Sequence, residues 1–222
     1  MNNRFDLLVF DWDGTLFDSV GWIVECLQLA AHDCGLSMPS NHAAKSVIGL
    51  GLKEAMETLF PEYPSEMAFR LAESYRRYYG RKTIGADGLF RGVFDMLAEL
   101  RDQGYRLAVA TGKTRSGLDH ALAATGTGLF FHATRCADET ASKPNPEMLF
   151  QLMRELDITE ERTLMVGDSL HDLRMAHNAG VAAVGVGCGA NDLVELAGFD
   201  SLACLDRTAD LLKVLNRQTD LI

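Results

Sequence analysis

The sequence predicts an α/β protein: a parallel-sheet core flanked by helices, with an all-helical cap inserted after the first strand. Three observations lead there. Residues 5–10 are a short apolar run that stops abruptly at Asp11-Trp12-Asp13-Gly14-Thr15, the pattern of a buried strand feeding a loop. Residues 18–84 then carry apolar side chains at helical spacing and no convincing strand. After Gly88, short apolar runs alternate with amphipathic stretches of helix length. That alternation predicts right-handed βαβ units and a parallel sheet. A single strand cannot form a domain, so the first must join the sheet built by the later ones. Residues 1–17 and 85–222 are therefore expected to make the α/β core, and 18–84 the helical cap.

The elements follow in order. Val20, Ile23, Val24, Leu27, Ala31 and Cys34 share one helical face, and Gly35 closes the segment. Helices are expected at about 41–47, 52–60 and 66–79, punctuated by Pro61 and Gly80. A helix over about 93–103 ends at Gly104, and a strand over 106–110 runs into Thr111-Gly112-Lys113. A helix at about 116–125 leads to an extended piece near 131–134. Asn145 reads as an N-cap and Pro146 as the first position of a helix reaching about 156. The strand at 163–166 breaks into Gly167-Asp168-Ser169, a helix closes at Gly180, and a strand spans 182–186. Thr208 is expected to cap a last helix to about 216. There is no internal repeat and no low-complexity segment.

Bulk properties narrow the function. The 222 residues suffice for a sizeable core, and the formal net charge of −10 lacks the footprint of a nucleic-acid binder. The basic doublets Arg76–Arg77 and Arg81–Lys82 sit among tyrosines and read as a solvated helix face. Five scattered cysteines, odd in number and without a CxxC pair, imply reduced structural thiols rather than disulfides or a zinc site. The apolar start is too short, and too quickly followed by acids, for a signal peptide, and no window approaches a membrane span. A cytoplasmic protein without membrane or nucleic-acid partners is expected. The sequence says nothing of oligomeric state.

In open parallel sheets, ligands bind outside the carboxyl ends of the strands. Asp11–Thr15, Thr111–Lys113 and Gly167–Ser169 all fall at such ends, with Asp172 just beyond the last. Lys143-Pro144-Asn145-Pro146 lies at a helix start. Asp11 and Asp13, two apart on extended backbone, would point to one side. Asp168 and Asp172, four apart, would stack on one face of a helix beginning there. Four converging carboxylates repel one another unless some stay protonated or a hard cation holds them. Mg2+ suits such a site, because it takes oxygen ligands and bridges carboxylates to a substrate phosphate. Lys143 and the Thr111 hydroxyl would supply the charge and donors that a phosphoryl group needs.

Taken together, DWDGT, the strand ending in TGK, KPNPE and the strand ending in GDSLHD resemble the four motifs of the haloacid dehalogenase superfamily, across essentially the whole chain. The insertion after the first motif resembles the cap of the subgroup that includes phosphoglycolate phosphatases and β-phosphoglucomutase. The resemblance implies a Rossmann-like core and a phosphatase acting on a small phosphorylated metabolite. It implies that Asp11 is the nucleophile forming an aspartyl-phosphate, and that Asp13 protonates the leaving alkoxide and then deprotonates water. It further implies Mg2+ on the Asp11 and Asp168 carboxylates and the Asp13 carbonyl, with Asp172 beside the metal, acting through water or by orienting Lys143. Thr111 and the Gly112 amide would hold the phosphoryl oxygens, and Lys143 would stabilise their charge.

Residues outside the motifs qualify this reading. Lys53, in the Gly-flanked stretch 48–53, is either a solvated lysine at a helix start or a group meeting the substrate's anionic end. Phosphonoacetaldehyde hydrolases of the superfamily carry a Schiff-base lysine in a similar loop, but typically with Ala where this chain has Asp13. Haloacid dehalogenases proper use no metal and lack that second aspartate, so Asp13 directs the chemistry to phosphate esters. His171 reads as helix surface, and Met148, Met153, Met165 and Met175 as core packing. Two departures stand out: Arg91 precedes Gly92 where a proline is common, which bears on the cap hinge, and Gly112 replaces the more usual Asn or Ser. A β-phosphoglucomutase-like phosphomutase is the alternative with the same core. A non-catalytic binding or regulatory module would have lost a catalytic group, and none is missing.

Overall fold

In the computed structural model, which describes residues 4–219, the apolar run Leu7–Phe10 forms a fully buried strand, β1. Four helices follow: α1 (Val20–Asp33), α2 (Asn41–Lys45), α3 (Leu52–Leu59) and α4 (Ser65–Tyr79). The chain continues through α5 (Val93–Asp102), β2 (Arg106–Thr111), α6 (Arg115–Thr125), β3 (Ala133–Cys136) and α7 (Glu147–Leu156). It ends with β4 (Thr163–Gly167), α8 (Leu170–Asn178), β5 (Ala182–Val186), α9 (Leu193–Ala197), β6 (Ala203–Leu205) and α10 (Leu211–Thr219).

The six strands form one parallel sheet in the order β3-β2-β1-β4-β5-β6. β1 is central, with Phe10 in register with Val109 on β2 and Val166 on β4. The chain winds outward from β1 to β3 on one side and then returns to build the other side from β4. The crevice between the carboxyl ends of β1 and β4 is therefore the topological switch point, where open sheets of this kind bind ligands. Pleating sends alternate residues of β1 into different cores. Leu8 and Phe10 pack with Val93, Leu97 and Leu100 of α5 and with Leu211 of α10. Leu7 and Val9 pack with Met148 and Leu152 of α7 and with Leu173 and Met175 of α8. α1, α3 and α4 enclose a third cluster around Val24, Leu27, Met56 and Leu71, which touches the core through Ala190.

The expected fold class is observed, with local differences. α9 and β6 were not expected. β6 is a three-residue, half-buried edge strand, too short to show alternation, and α9 is a five-residue helix held by the Asp192–Glu195 capping box. The third strand lies two residues later than expected. Pro146, rather than Asn145, is the N-cap of α7, which begins at Glu147; Asn145 Oδ1 accepts the Glu147 N–H at 3.0 Å from one residue further out. Thr208 opens a short 3-10 turn instead of capping α10, and its hydroxyl donates to the Thr15 carbonyl at 2.5 Å. All five cysteines are unpaired thiols, and no helix among the described residues is long and apolar enough to cross a membrane.

Candidate active site

Asp11 emerges from β1 at the switch point, its N–H donating to Val166 O at 3.0 Å and its carboxylate buried. Its Oδ1 accepts the Trp12 N–H at 2.6 Å and lies 2.9 Å from Lys143 Nζ. Lys143 comes from the segment before α7 and lies 2.7 Å from Asp172 Oδ1, its side chain fully enclosed. These two contacts are ion pairs rather than aligned hydrogen bonds. Burial opposes the ammonium charge, but Asp11 and Asp172 outweigh it and raise the Lys143 pKa above the ordinary lysine range.

Asp168 follows β4. Its Oδ1 accepts from Thr15 Oγ1 and its Oδ2 from the Ala190 N–H, both at 2.7 Å. Gly14 makes this approach possible. It has a φ of +77°, and an added Cβ would sit 2.2 Å from Asp168 Oδ2. Asp168 and Asp172 do not stack along a helix as their spacing suggested, because α8 begins only at Leu170. Asp172 instead turns back in a capping box, its Oδ2 accepting from the Ser169 N–H at 3.1 Å and Ser169 Oγ at 2.7 Å. Cap and ion pair thus engage both of its oxygens, Oδ2 by Ser169 and Oδ1 by Lys143.

Asp11, Asp168 and Asp172 each bring a carboxylate oxygen within 4.8 Å of the others. Three buried acids facing one buried lysine leave two formal negative charges in excess. Burial pushes the Asp11 carboxyl well above its usual range, Lys143 opposing and Asp172 and Asp168 reinforcing the shift. Burial, then Asp172, pushes Asp168 up to about 7. Asp11 Oδ2 is buried with no hydrogen-bond partner among the described residues. An orphaned oxygen, hard donors and a charge excess matching one divalent cation fit the Mg2+ expectation.

Asp13 belongs to a different arrangement. Lys113 Nζ donates to both of its oxygens at 2.9 Å, and Ser19 Oγ donates to Oδ1 at 2.7 Å. The same ammonium donates to the Tyr79 hydroxyl at 2.6 Å and lies 4.8 Å from the centre of that ring. Tyr79, at the end of α4, stacks on Trp22 of α1 with centroids 3.8 Å apart. Lys113 and Tyr79 were not singled out from the sequence. The lysine stood in TGK, but nothing local indicates that its partner lies 100 residues earlier.

The phosphate-loop candidates lie alongside. Thr111 is buried at the end of β2, its Oγ1 accepting the Lys113 N–H at 3.3 Å. A Cβ on Gly112 would meet Leu50 O at 2.3 Å and Gly49 O at 2.8 Å, so the 49–50 loop lies directly on this residue. That contact explains glycine where Asn or Ser is more usual. Two further ties join the same regions: the Gly51 N–H donates to Ser142 Oγ at 2.7 Å, and His171 Nε2 lies 2.8 Å from Ser46 O. His171 is thus a link between elements rather than plain helix surface. Lys53 is exposed, lies 3.9 Å from Glu57, and does not line the cavity beside Asp11. Arg76, read as part of a solvated face, does line it. Arg91 is exposed, while Gly92 beside it takes a left-handed φ of +85° at the start of α5. The cavity, of about 440 Å³, contains Asp11, Asp13, Thr111, Gly112 and Lys113 in its lining.

A parallel sheet with acids at its switch point, under a helical insertion, defines an α/β enzyme of the doubly wound class. The chain belongs to the haloacid dehalogenase-like hydrolase family, whose model matches residues 8–186. It is 34% identical over 210 residues to "Probable phosphatase IndB" of Dickeya dadantii, covering 93% of this chain and 91% of that protein. It is 30% identical over 224 residues to a phosphoglycolate phosphatase of Mannheimia succiniciproducens, covering 97% and 100%. A crystal structure described as a predicted phosphoglycolate phosphatase from Haemophilus somnus matches with a TM-score of 0.84 at 26% identity, covering 96% and 99%. The protein is thus a hydrolase whose relatives carry phosphatase names.

Proposed function

We propose that the protein is a Mg2+-dependent phosphomonoester hydrolase acting on a small phosphorylated metabolite in the cytoplasm, through an aspartyl-phosphate on Asp11. The observation that carries this reading is the buried Asp11 carboxylate, with one oxygen fixed by Lys143 and Trp12 and the other without a donor. Residues 1–17 and 85–222 form the catalytic core in this reading, and 18–84 the cap over it.

Asp11 attacks phosphorus, and the ester P–O bond breaks as Asp13, in its protonated form, gives its proton to the departing alkoxide; the carboxylate this leaves is the form that pairs with Lys113. Asp13 then takes a proton from water as that water attacks phosphorus. The Asp11–phosphorus linkage breaks, phosphate leaves, and both carboxyl groups return to their starting states. Thr111 Oγ1 and the Gly112 N–H bind phosphoryl oxygens, and Lys143 neutralises charge on them and on Asp11. Asp172 holds Lys143 in place. Asp11, Asp168 and the Asp13 carbonyl are the groups that would hold Mg2+, which supplies Lewis-acid neutralisation of phosphoryl charge when bound. Asp13 also separates this reading from phosphonate and carbon–halogen cleavage, which require no such acid.

Phosphate release from p-nitrophenyl phosphate, with Mg2+ and then with excess chelator, tests the assignment. Turnover should require the metal and be lost in Asp11→Asn. Metal-independent turnover, or full activity in that variant, sinks it. The products from glucose 1-phosphate distinguish the mutase alternative: free phosphate supports the hydrolase, and glucose 6-phosphate the mutase.

A further inference from the structure

The cavity beyond Asp11 has a character that phosphoryl transfer does not require. Ile23, Leu27, Ile48, Leu50, Leu52 and Ala55 line it, and Tyr75 and Tyr79 bring in their rings. Among the lining residues from 20–80, Arg76 alone is charged, and its side chain is exposed. Lys53, the other cation near this loop, is directed to solvent beside Glu57. Lys113 also lines the cavity, but its ammonium is committed to Asp13 and Tyr79.

Size points the same way. The volume of about 440 Å³ is that of sites which enclose ligands of many heavy atoms. A two-carbon phosphorylated acid would leave most of it unfilled. It would also set its carboxylate against the aliphatic side chains contributed by residues 23–55, which offer no donor to replace lost hydration, with only the exposed Arg76 among the lining residues from 20–80 to pair with it. A bulky apolar group would displace water from these same walls favourably.

We propose that the preferred substrate is a phosphate monoester of a bulky, largely apolar or aromatic alcohol, with no second anionic group beside the phosphate. This inference rests on the phosphomonoesterase reading above and adds the substrate class. Leu50 and Leu52, half-buried in the wall, are the positions at which the preference is set.

Benzyl phosphate and 2-phosphoglycolate test it cleanly, because both release primary alcohols of similar basicity. With saturating Mg2+, kcat/KM for benzyl phosphate should exceed that for phosphoglycolate by at least about tenfold, the scale set by filling an apolar pocket. Leu52→Arg, in a variant whose thermal melting is retained, should shrink or invert that ratio by about tenfold. Leu50→Lys provides the same test at a second half-buried position should Leu52→Arg fold poorly. Equal or better turnover of phosphoglycolate by the unmodified protein overturns the inference while leaving the phosphatase reading intact. So does an unchanged ratio in folded variants. Failure to hydrolyse p-nitrophenyl phosphate or either ester overturns both.

Discussion

The two halves of the site are built on opposite plans. Asp11, Asp168, Asp172 and Lys143 all come from the sheet and its connections, are buried, and are held by Thr15, Ser169 and Ala190 from the same unit. Asp13 and Lys113 are partly accessible, with side-chain exposures of 13% and 7%, and their network ends on Tyr79 of the helical insertion. The first half is set by the folding of the core alone. The second is complete only when α4 lies over it. In the proposed mechanism the nucleophile and its charge partners thus belong to the core, whereas the proposed proton-transfer group, Asp13, is tied through Lys113 to α4.

The largest effect that would break this contrast lies in the first half. Asp11→Asn removes the carboxylate proposed to attack but keeps its shape, so kcat for p-nitrophenyl phosphate should fall by roughly 10⁴-fold or more. Lys143→Met should show how much of the fold the buried charges govern. Without the ammonium, Asp11 and Asp172 lose the cation lying 2.9 Å and 2.7 Å away. Removing one partner of a buried charged cluster costs about 3–5 kcal/mol, to be read from urea unfolding in chelator. Added Mg2+ should recover part of this loss, since a ligand bound only by the folded state stabilises it. Lys113→Met in the second half should cost visibly less, because Asp13 keeps Ser19 Oγ and some solvent. Equal losses for the two lysines would erase the proposed difference.

Gly112→Ala probes the seam between the halves. Its new Cβ would meet the Leu50 carbonyl at 2.3 Å, a backbone atom that moves only with the 49–50 loop. Displacement of a substrate-positioning loop by about an ångström costs on the order of a hundredfold. A fall of about tenfold to a hundredfold in kcat/KM is expected, together with a lowered melting temperature because backbone must shift to admit the Cβ. Activity equal to that of the unmodified protein would mean that the loop need not lie on Gly112 during turnover.

The same division governs what could be read from the sequence. Strands β1, β2, β4 and β5 are continuous apolar runs, and the first three of these end in polar clusters, so the strands and the acids at the ends of β1 and β4 were legible. The chain departs from periodicity where contacts are distant or elements are short. β6 has three residues and no pattern, and the role of Thr208 depends on a carbonyl 193 residues away. Asp168 and Asp172 were rightly grouped but by the wrong geometry, since the Ser169 capping box, not a shared helix face, brings them together. S-x-x-D is a cap signature, so that signal was available. The Asp13–Lys113–Tyr79 chain was not, because it joins three segments through side chains that each have ordinary local explanations. Of the two readings open for Lys53 the structure favours the solvated one, while Arg76, expected on a solvated face, lines the cavity: which helical cation faces a cavity depends on how the helices dock.

The smallest expected effect gives the sharpest test of the second half. Tyr79→Phe keeps the stack on Trp22 and deletes only the hydroxyl that receives Lys113. A hydrogen bond to a charged group contributes about 1.5–3 kcal/mol. Lys113 retains both Asp13 oxygens, so a reduction of only about threefold to tenfold in kcat/KM is expected, a fraction of that contribution. The direction of the effect across substrates carries more information than its size. A general acid matters most when the departing alkoxide is strongly basic. If Tyr79 acts through Lys113 on Asp13, the variant should lose more with benzyl phosphate than with p-nitrophenyl phosphate, whose leaving group needs little protonation. A purely structural role for the hydroxyl would lower both substrates by the same factor. That equality would detach the proton-transfer half from the cap and leave the two halves of the site alike.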